Sequence, residues 1–302
     1  MDNSITMLKK GDLLRLIDEV SACALASGAL LPIRTGTAYV EDHGIRFVVR
    51  ILSNLVLKDE DRLKRAQEKK GNPFLPYEKD LFVADISPTH LSLLNKFNVM
   101  ERHLLIVTRE FEEQEDLLTS ADFEALWTCM EEYDAVGFYN GGEAAGASQA
   151  HKHLQIVPLP LADKGPAIPI QPLVDEVKER GKITRLDRFS FKHCFVLFEQ
   201  DSSGFPLSPV SRSFALYTDM LSDLGMSVPR EGEKVKQSGP YCLVVTRQWM
   251  LLVPRSREFY HDISVNSLGF AGCLLVRKPE HLKLFTNITG PLDLLREVSL
   301  PL

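Results

Sequence analysis

Apolar residues recur at Leu8, Leu13, Leu16, Ile17, Val20 and Ala24. That three-and-four spacing gives a helix one apolar face, so an opening helix is expected. Residues 45–57, IRFVVRILSNLVL, change to a denser apolar run interrupted by Arg46, Arg50 and Asn54, and predict a strand. Residues 58–72 mix both charge signs and predict a solvated helix or loop. Pro73 and Pro76 disfavour a helix in the next segment, and a strand is expected over 81–86. Another is expected at Leu104–Thr108. Thr119 and Asp122 then stand at capping-box spacing, with a carboxylate near the positive helix end. The helix they open would run to about Tyr133 and bury Phe123, Leu126, Trp127 and Met130.

Residues 137–160, GFYNGGEAAGASQAHKHLQIVPLP, organise the chain. A loop of small residues leads into a strand that stops at Pro158 and Pro160. With a side-chain period of two, His151, His153 and Gln155 share one face, and Lys152, Leu154 and Ile156 the other. The Pro- and Lys-containing stretch 161–185 then predicts a connection across the surface.

The second half repeats the alternation. FKHCFVLFE (191–199) predicts a strand and SRSFALYTDMLSDLGM (211–226) a helix. YCLVVTRQWMLLVPRS (241–256) predicts two strands joined by a tight turn. VNSLGFAGCLLVR (265–277) combines a glycine-bearing loop with a strand. HLLIVTREF (103–111) echoes YCLVVTRQWM (241–250), which a diverged duplication or chance similarity between apolar strands would explain equally. The fold class expected is α+β, an antiparallel sheet with flanking helices, compatible with two related halves.

Composition narrows the classes. The 302 residues suffice for one large domain or two modest ones. A net charge of −6 argues against nucleic acid as the partner. Five scattered cysteines without a C-x-x-C pair point to a reducing compartment, and the cytoplasm is expected. No apolar run approaches membrane-spanning length, so no membrane partner is expected. The apolar stretch 22–31 follows Asp12, Arg15, Asp18 and Glu19, which suits an amphipathic helix better than a signal peptide.

The paired histidines admit three chemistries. Zinc would need a third ligand, but His43, His90, His103, His193, His261 and His281 are dispersed without paired carboxylates, and no metal site is expected. Two core histidines followed by Gln155 would make a buried strand unusually polar. The third reading is nucleophilic attack at phosphorus. Neutral imidazole is abundant near pH 7, and its bond to phosphorus is reactive enough to pass the group onward. Backbone N–H groups of Gly146, Ala147, Ser148 and Gln149 would hold the charged oxygens. Gln155 can neither protonate a leaving group nor deprotonate water, which favours transfer over hydrolysis.

NGGEAAGASQAHKHLQ (140–155) resembles the active-site signature of the ATP adenylyltransferases, or diadenosine tetraphosphate phosphorylases, in the histidine-triad-like superfamily. NPFLPYE (72–78), LLNKFNVMERHLLIVTREF (93–111), WMLLVPRS (249–256) and VNSLGFAGCLLVR (265–277) resemble further family segments in the expected order. The resemblance implies a histidine-triad-like sheet, an N-terminal nucleotide-binding half over 1–165 and a C-terminal half over 166–302. It implies His153 as the adenylylated nucleophile, His151 as its orienting neighbour and Gln155 as a phosphate contact. Asn140 and the loop at Gly146, Ala147, Ser148 and Gln149 would bind phosphates. Asn95 and Lys96 match a nucleotide-contacting pair, and Arg50 and Lys58 fall near a basic polyphosphate contact. Asn266, Ser267 and Gly269 match a substrate loop, while Arg277 stands near a family lysine, a departure from the pattern.

The reaction implied is phosphorolysis of diadenosine tetraphosphate to ATP and ADP, with adenosine polyphosphates and inorganic phosphate as partners. The reverse reaction would make the dinucleotide. A divalent cation such as Mg²⁺ would accompany the polyphosphate, and no permanently bound cofactor is expected. Another histidine-dependent exchange, sulfurylase-like or uridylyltransferase-like, and a non-catalytic adenosine-polyphosphate sensor are the alternatives.

Overall fold

A computed structural model describes residues 7–52, 72–230, 232–287 and 289–302. Helix α1 (Leu13–Ser27) precedes the hairpin β1 (Thr35–Asp42) and β2 (Ile45–Leu52). Strands β3 (Phe82–Asp85), β4 (His90–Leu94) and β5 (Leu104–Thr108) lead to helix α2 (Ser120–Met130). Next come β6 (Ala135–Gly141), β7 (His153–Pro158) and the short α3 (Gln171–Val174). Strands β8 (Ile183–Thr184) and β9 (Cys194–Leu197) precede α4 (Pro209–Asp223), β10 (Tyr241–Val245) and β11 (Trp249–Pro254). The last elements are β12 (Phe259–Tyr260), β13 (Ile263–Ser264), α5 (Ser267–Phe270), β14 (Cys273–Val276), α6 (Glu280–Asn287) and α7 (Pro291–Glu297).

Nine strands from both halves make one sheet in the order β3-β4-β5-β7-β6-β10-β11-β9-β8, and every neighbouring pair is antiparallel. A second sheet, β1-β2-β14, holds β14 parallel to β2. The expected α+β class is the one observed.

Alternation along β7 decides what covers each face. Leu154 and Ile156 pack with Phe123, Leu126 and Trp127 of α2 and with Leu216, Tyr217 and Met220 of α4. Val157 belongs to the opposite core, with Phe138, Val244, Trp249, Phe47, Phe270 and Leu274. The site residues lie on that second side, where the chain's polar positions interrupt the core. The expected capping box is present: the Asp122 carboxylate accepts from the Thr119 backbone N–H at 2.7 Å and from its hydroxyl at 2.8 Å.

Several expectations are corrected. Residues 137–141 are part of the fully buried β6 and not of the loop. Gly137 lets the helix approach this strand, since a Cβ there would stand 2.6 Å from Leu126 Cδ1. The connection at 161–185 is not confined to the surface, because Leu161, Ile168, Ile170, Leu173 and Val174 plug the core under the small sheet. β1 and β4 were not expected as separate strands; His90 and Ser92 make β4 polar in sequence although all of it is buried. Of the strand expected over 45–57, residues 45–52 form β2 and 53–57 lie outside the described residues. The echo between 103–111 and 241–250 is not a structural equivalence. β10 lies beside β6 at the sheet centre, whereas β5 lies beyond β7.

Candidate active site

β7 begins at His153, and His151 precedes it in an isolated bridge to Glu113. Both imidazoles nevertheless reach the same aromatic wall: the Phe74 ring centroid lies 5.6 Å from that of His151 and 5.4 Å from that of His153. Phe111 stands 5.4 Å from His151 on another side. His153 as a residue is 5% exposed, so the imidazole is buried and largely shielded from bulk water.

The hydrogen bonds assign both tautomers. His153 Nδ1–H donates to the His151 carbonyl at 2.8 Å. The lone pair is thereby left on Nε2, which has no hydrogen-bond partner among the described residues. His151 donates from Nε2 to the Thr108 carbonyl at 2.8 Å and accepts at Nδ1 from the Asn72 amide at 2.8 Å. Asn72 cannot be reversed, because its Oδ1 accepts from Phe74 N–H at 2.9 Å. Burial pushes the His153 pKa down to about 4, against the opposing bond to the His151 carbonyl. Burial lowers that of His151 as well, opposed by the Thr108 carbonyl. Both rings are therefore neutral at pH 7.

The backbone around His153 is clamped by Gln114, whose Oε1 accepts from His153 N–H at 2.9 Å and whose amide donates to the Asn140 carbonyl at 2.9 Å. Asn140 Oδ1 accepts from Ser267 N–H at 2.9 Å and lies 2.7 Å from the Ser267 hydroxyl. This bond joins the C-terminal segment to the site. Gly146, at φ +92°, touches the same segment: a Cβ would stand 3.1 Å from Asn266 Cβ and 3.2 Å from the Val265 carbonyl. Gly269 lets α5 pack against Val265.

Gln155 Oε1 meets His103 Nε2 at 2.9 Å, and His103 in turn takes an amide contact from Asn95 at 3.3 Å. Asn95 thus joins the site through His103.

Not every expected donor is open. Gly146 N–H donates to the Glu143 carbonyl and Ala147 N–H to that of Gly142, because the loop closes a tight turn on itself. Ser148 and Gln149 N–H make no such bond among the described residues. Ser267 is a scaffold residue, since its hydroxyl also contacts the Tyr139 carbonyl at 2.7 Å. Asn266 caps α5 by accepting from Leu268 N–H. Lys96 is paired with Glu78 at 2.9 Å, and Arg50 donates to the Leu161 carbonyl at 3.1 Å from the small sheet. Arg277 is exposed just past β14, and Lys58 lies outside the described residues.

Asn72, Phe74, Thr108, Gln114 and His103 were not singled out as site residues in the sequence. Nor was Arg255, a buried guanidinium that donates to the carbonyls of Val298, Val265 and Arg257 and so fixes the segment behind Asn266. The segments NPFLPYE, LLNKFNVMERHLLIVTREF and WMLLVPRS, which contain all of these but Gln114, held the hint.

A cavity of about 600 Å³ opens beside Gly142, Glu143 and Ala144, but the histidines do not line it. Glu115, Glu143 and Glu258 outnumber Arg257 there, so its field opposes a polyphosphate. Among the described residues no three His, Cys, Asp or Glu side chains converge to hold a metal ion. No described helix is long and apolar enough to cross a membrane.

Replacing Asn72 with leucine removes the donor that fixes the His151 ring. A steady-state assay of nucleotidyl transfer is expected to show kcat lowered about 10- to 100-fold, the scale of a small misplacement. An unchanged kcat would remove Asn72 from the site.

The His153 Nε2, without a hydrogen-bond partner among the described residues, thus follows a small-residue loop on an antiparallel sheet. Residues 3–176 match the family model described as Ap4A phosphorylase N-terminal domain, and residues 187–301 that of ATP adenylyltransferase C-terminal domain. The chain belongs to the Ap4A phosphorylase family of ATP adenylyltransferases. Protein APA1 of Saccharomyces cerevisiae is 29% identical over 329 residues, covering 96% of this chain and 93% of that protein. Diadenosine 5',5'''-P1,P4-tetraphosphate phosphorylase 2 of the same yeast is 27% identical over 265 residues, covering 80% and 79%. The crystal structure of yeast Ap4A phosphorylase Apa2 aligns with a TM-score of 0.79 at 24% identity, covering 98% of this chain and 96% of that one. Its complex with Ap4A aligns with a TM-score of 0.76 at 22% identity, covering 98% and 99%. Those likenesses establish a shared fold along nearly the whole chain.

Proposed function

We propose that this enzyme phosphorolyses diadenosine tetraphosphate through an adenylyl group carried on His153. Family membership supports the reaction class, and the observation that carries the mechanism is the His153 ring, with Nδ1–H tied to a carbonyl and Nε2 without a partner. Nε2 attacks an α-phosphorus, an N–P bond forms, and the P–O bond to the departing ATP breaks. An oxygen of inorganic phosphate then attacks the same phosphorus, the N–P bond breaks, and ADP leaves. In reverse, the same steps make the dinucleotide.

The low pKa serves both steps. It keeps the ring deprotonated for attack and makes imidazole a good leaving group afterwards. In the adduct the ring is cationic, and the His151 carbonyl that set the tautomer accepts a charge-assisted bond. Gln155, whose oxygen is engaged by His103, offers its NH₂ to a phosphate oxygen. Ser148 and Gln149 N–H offer further donors at the loop. A divalent cation such as Mg²⁺ enters with the polyphosphate as part of the substrate.

The test is to mix the protein with dinucleotide labelled in its α-phosphates, without inorganic phosphate, and quench in alkali. The expected product is an acid-labile, alkali-stable adduct on the protein, chased to ADP by added phosphate. No adduct under rapid quenching, from protein that phosphorolyses the dinucleotide once phosphate is added, would point to direct displacement instead.

A further inference from the structure

Lys152 sits between the two histidines, and its side chain passes to the other side of the sheet. We infer that Lys152 is a positioning residue for transfer at His153: anchored by Glu112, Asp122 and the Leu117 carbonyl, it fixes the peptide whose carbonyl holds His153 in the reactive tautomer. The inference rests on the reading of His153 as nucleophile.

The relevant peptide unit joins His151 to Lys152. Its carbonyl accepts from His153 Nδ1 at 2.8 Å, and its N–H, from Lys152, donates to the Glu112 carbonyl at 2.8 Å. Glu112 also grips the far end of Lys152, with its carboxylate 2.9 Å from Nζ. The other two ammonium donors go to the Leu117 carbonyl at 3.1 Å and Asp122 at 3.2 Å. All three N–H bonds of the ammonium therefore have acceptors.

Asp122 cannot drift, because it is the capping carboxylate of α2 and also contacts His90 Nε2 at 3.1 Å. The helix end, the strand and the loop at 112–117 consequently meet on one nitrogen. The side chains of Lys152 and Asp122 are each 1% exposed.

Stability alone does not account for this arrangement. An ion pair taken out of water is commonly matched or bettered by apolar side chains of the same volume. What the charges add is a unique seat, since a cation with three directed acceptors has one place to lie and a methionine has many. A unique seat for Lys152 orients the His151 carbonyl, and that orientation decides which nitrogen of His153 holds its lone pair.

The test is the variant Lys152→Met/Asp122→Asn, which removes the charge pair without leaving an uncompensated carboxylate at position 122. Circular dichroism and a thermal midpoint establish folding. We expect kcat for phosphorolysis to fall about 10- to 100-fold with KM for the dinucleotide unchanged. In the nucleotide-free protein, ¹⁵N–¹H spectra of the imidazoles should change from one Nδ1–H tautomer of His153 to a mixture. Folded protein with wild-type kcat, or with an unaltered tautomer, overturns the inference. If the double variant does not fold, Glu112→Gln takes its place: a smaller loss of kcat and the same tautomer change support the inference, and wild-type values for both overturn it. The tautomer readout needs no nucleotide, whereas a missing adduct in wild-type protein would instead refute the role of His153 itself.

Discussion

His153→Ala eliminates phosphorolysis, lowering turnover by about 10⁴-fold or more, the scale seen when an enzyme loses its nucleophile. The fold is expected to survive, because the ring makes one side-chain hydrogen bond among the described residues, to the His151 carbonyl two positions away, and alanine puts no unpaired polar group in its place. Gln114 continues to clamp the backbone N–H at position 153, so the loop and Asn140 keep their places. Dinucleotide binding, measured by calorimetry, should therefore persist while ADP release vanishes. That split separates an enzyme from a sensor: a binding protein has no turnover to lose. Substantial phosphorolysis in this variant would transfer the chemistry to another group. For the wild type, the depressed pKa places the acidic limb of kcat/KM near pH 4 and not near the ordinary imidazole value, because that limb reports the free enzyme.

Acid weakens the fold well before its carboxylates are protonated. His153 and His193 are both buried, and burial brings each to a pKa of about 4. In the unfolded chain each returns to about 6.5, so between those values the unfolded state binds more protons. The stabilising contribution is complete above pH 6.5 and disappears as pH falls to about 4. Each histidine contributes about 3 kcal/mol across that window, from about 2.5 pK units at 1.36 kcal/mol per unit. Together that is about 6 kcal/mol, a sizeable share of the roughly 5–15 kcal/mol by which a domain is ordinarily stable.

Urea unfolding at pH 7.5 and pH 4.5 is expected to show a large drop at the lower value. In His193→Gln the drop should shrink by about half, at the cost of stability at neutral pH. His193 accepts from Leu186 N–H at 2.8 Å and donates to the Phe191 carbonyl at 2.8 Å, so its neutral form is the one the fold requires. Equal stabilities at the two pH values would contradict the burial of these rings. Asp122 lies outside the window: burial would raise it, but Lys152 and His90 hold it well below the usual carboxylate range.

Local patterns were legible wherever one face of an element decided its form. The α2 helix was readable from its apolar spacing and capping residues, and the β10–β11 hairpin from two apolar runs around TRQ. The β6 strand was not, because Gly137, Asn140 and Gly141 carry loop chemistry until a helix and a neighbouring strand pack on them. Leu161 to Val174 misled in the opposite direction: prolines and lysines suggested surface, while the apolar residues between them seal a core built from distant strands.

Alternation along residues 151–155 was enough to identify the two imidazoles and the amide as one row, and the small-residue loop before them pointed to phosphate. Those are short-range facts, set by the two-residue period of a strand and the small reach of glycine. Only folding decided the surroundings of His153, because Asn72, Gln114 and Ser267 come from loops and a helix far away in sequence, at distances that no spacing encodes. Tertiary contacts likewise set Lys96 against Glu78 and Lys152 against Asp122. A side chain's chemistry is written in its type, but its protonation and partners depend on what the completed sheet brings within 3 Å.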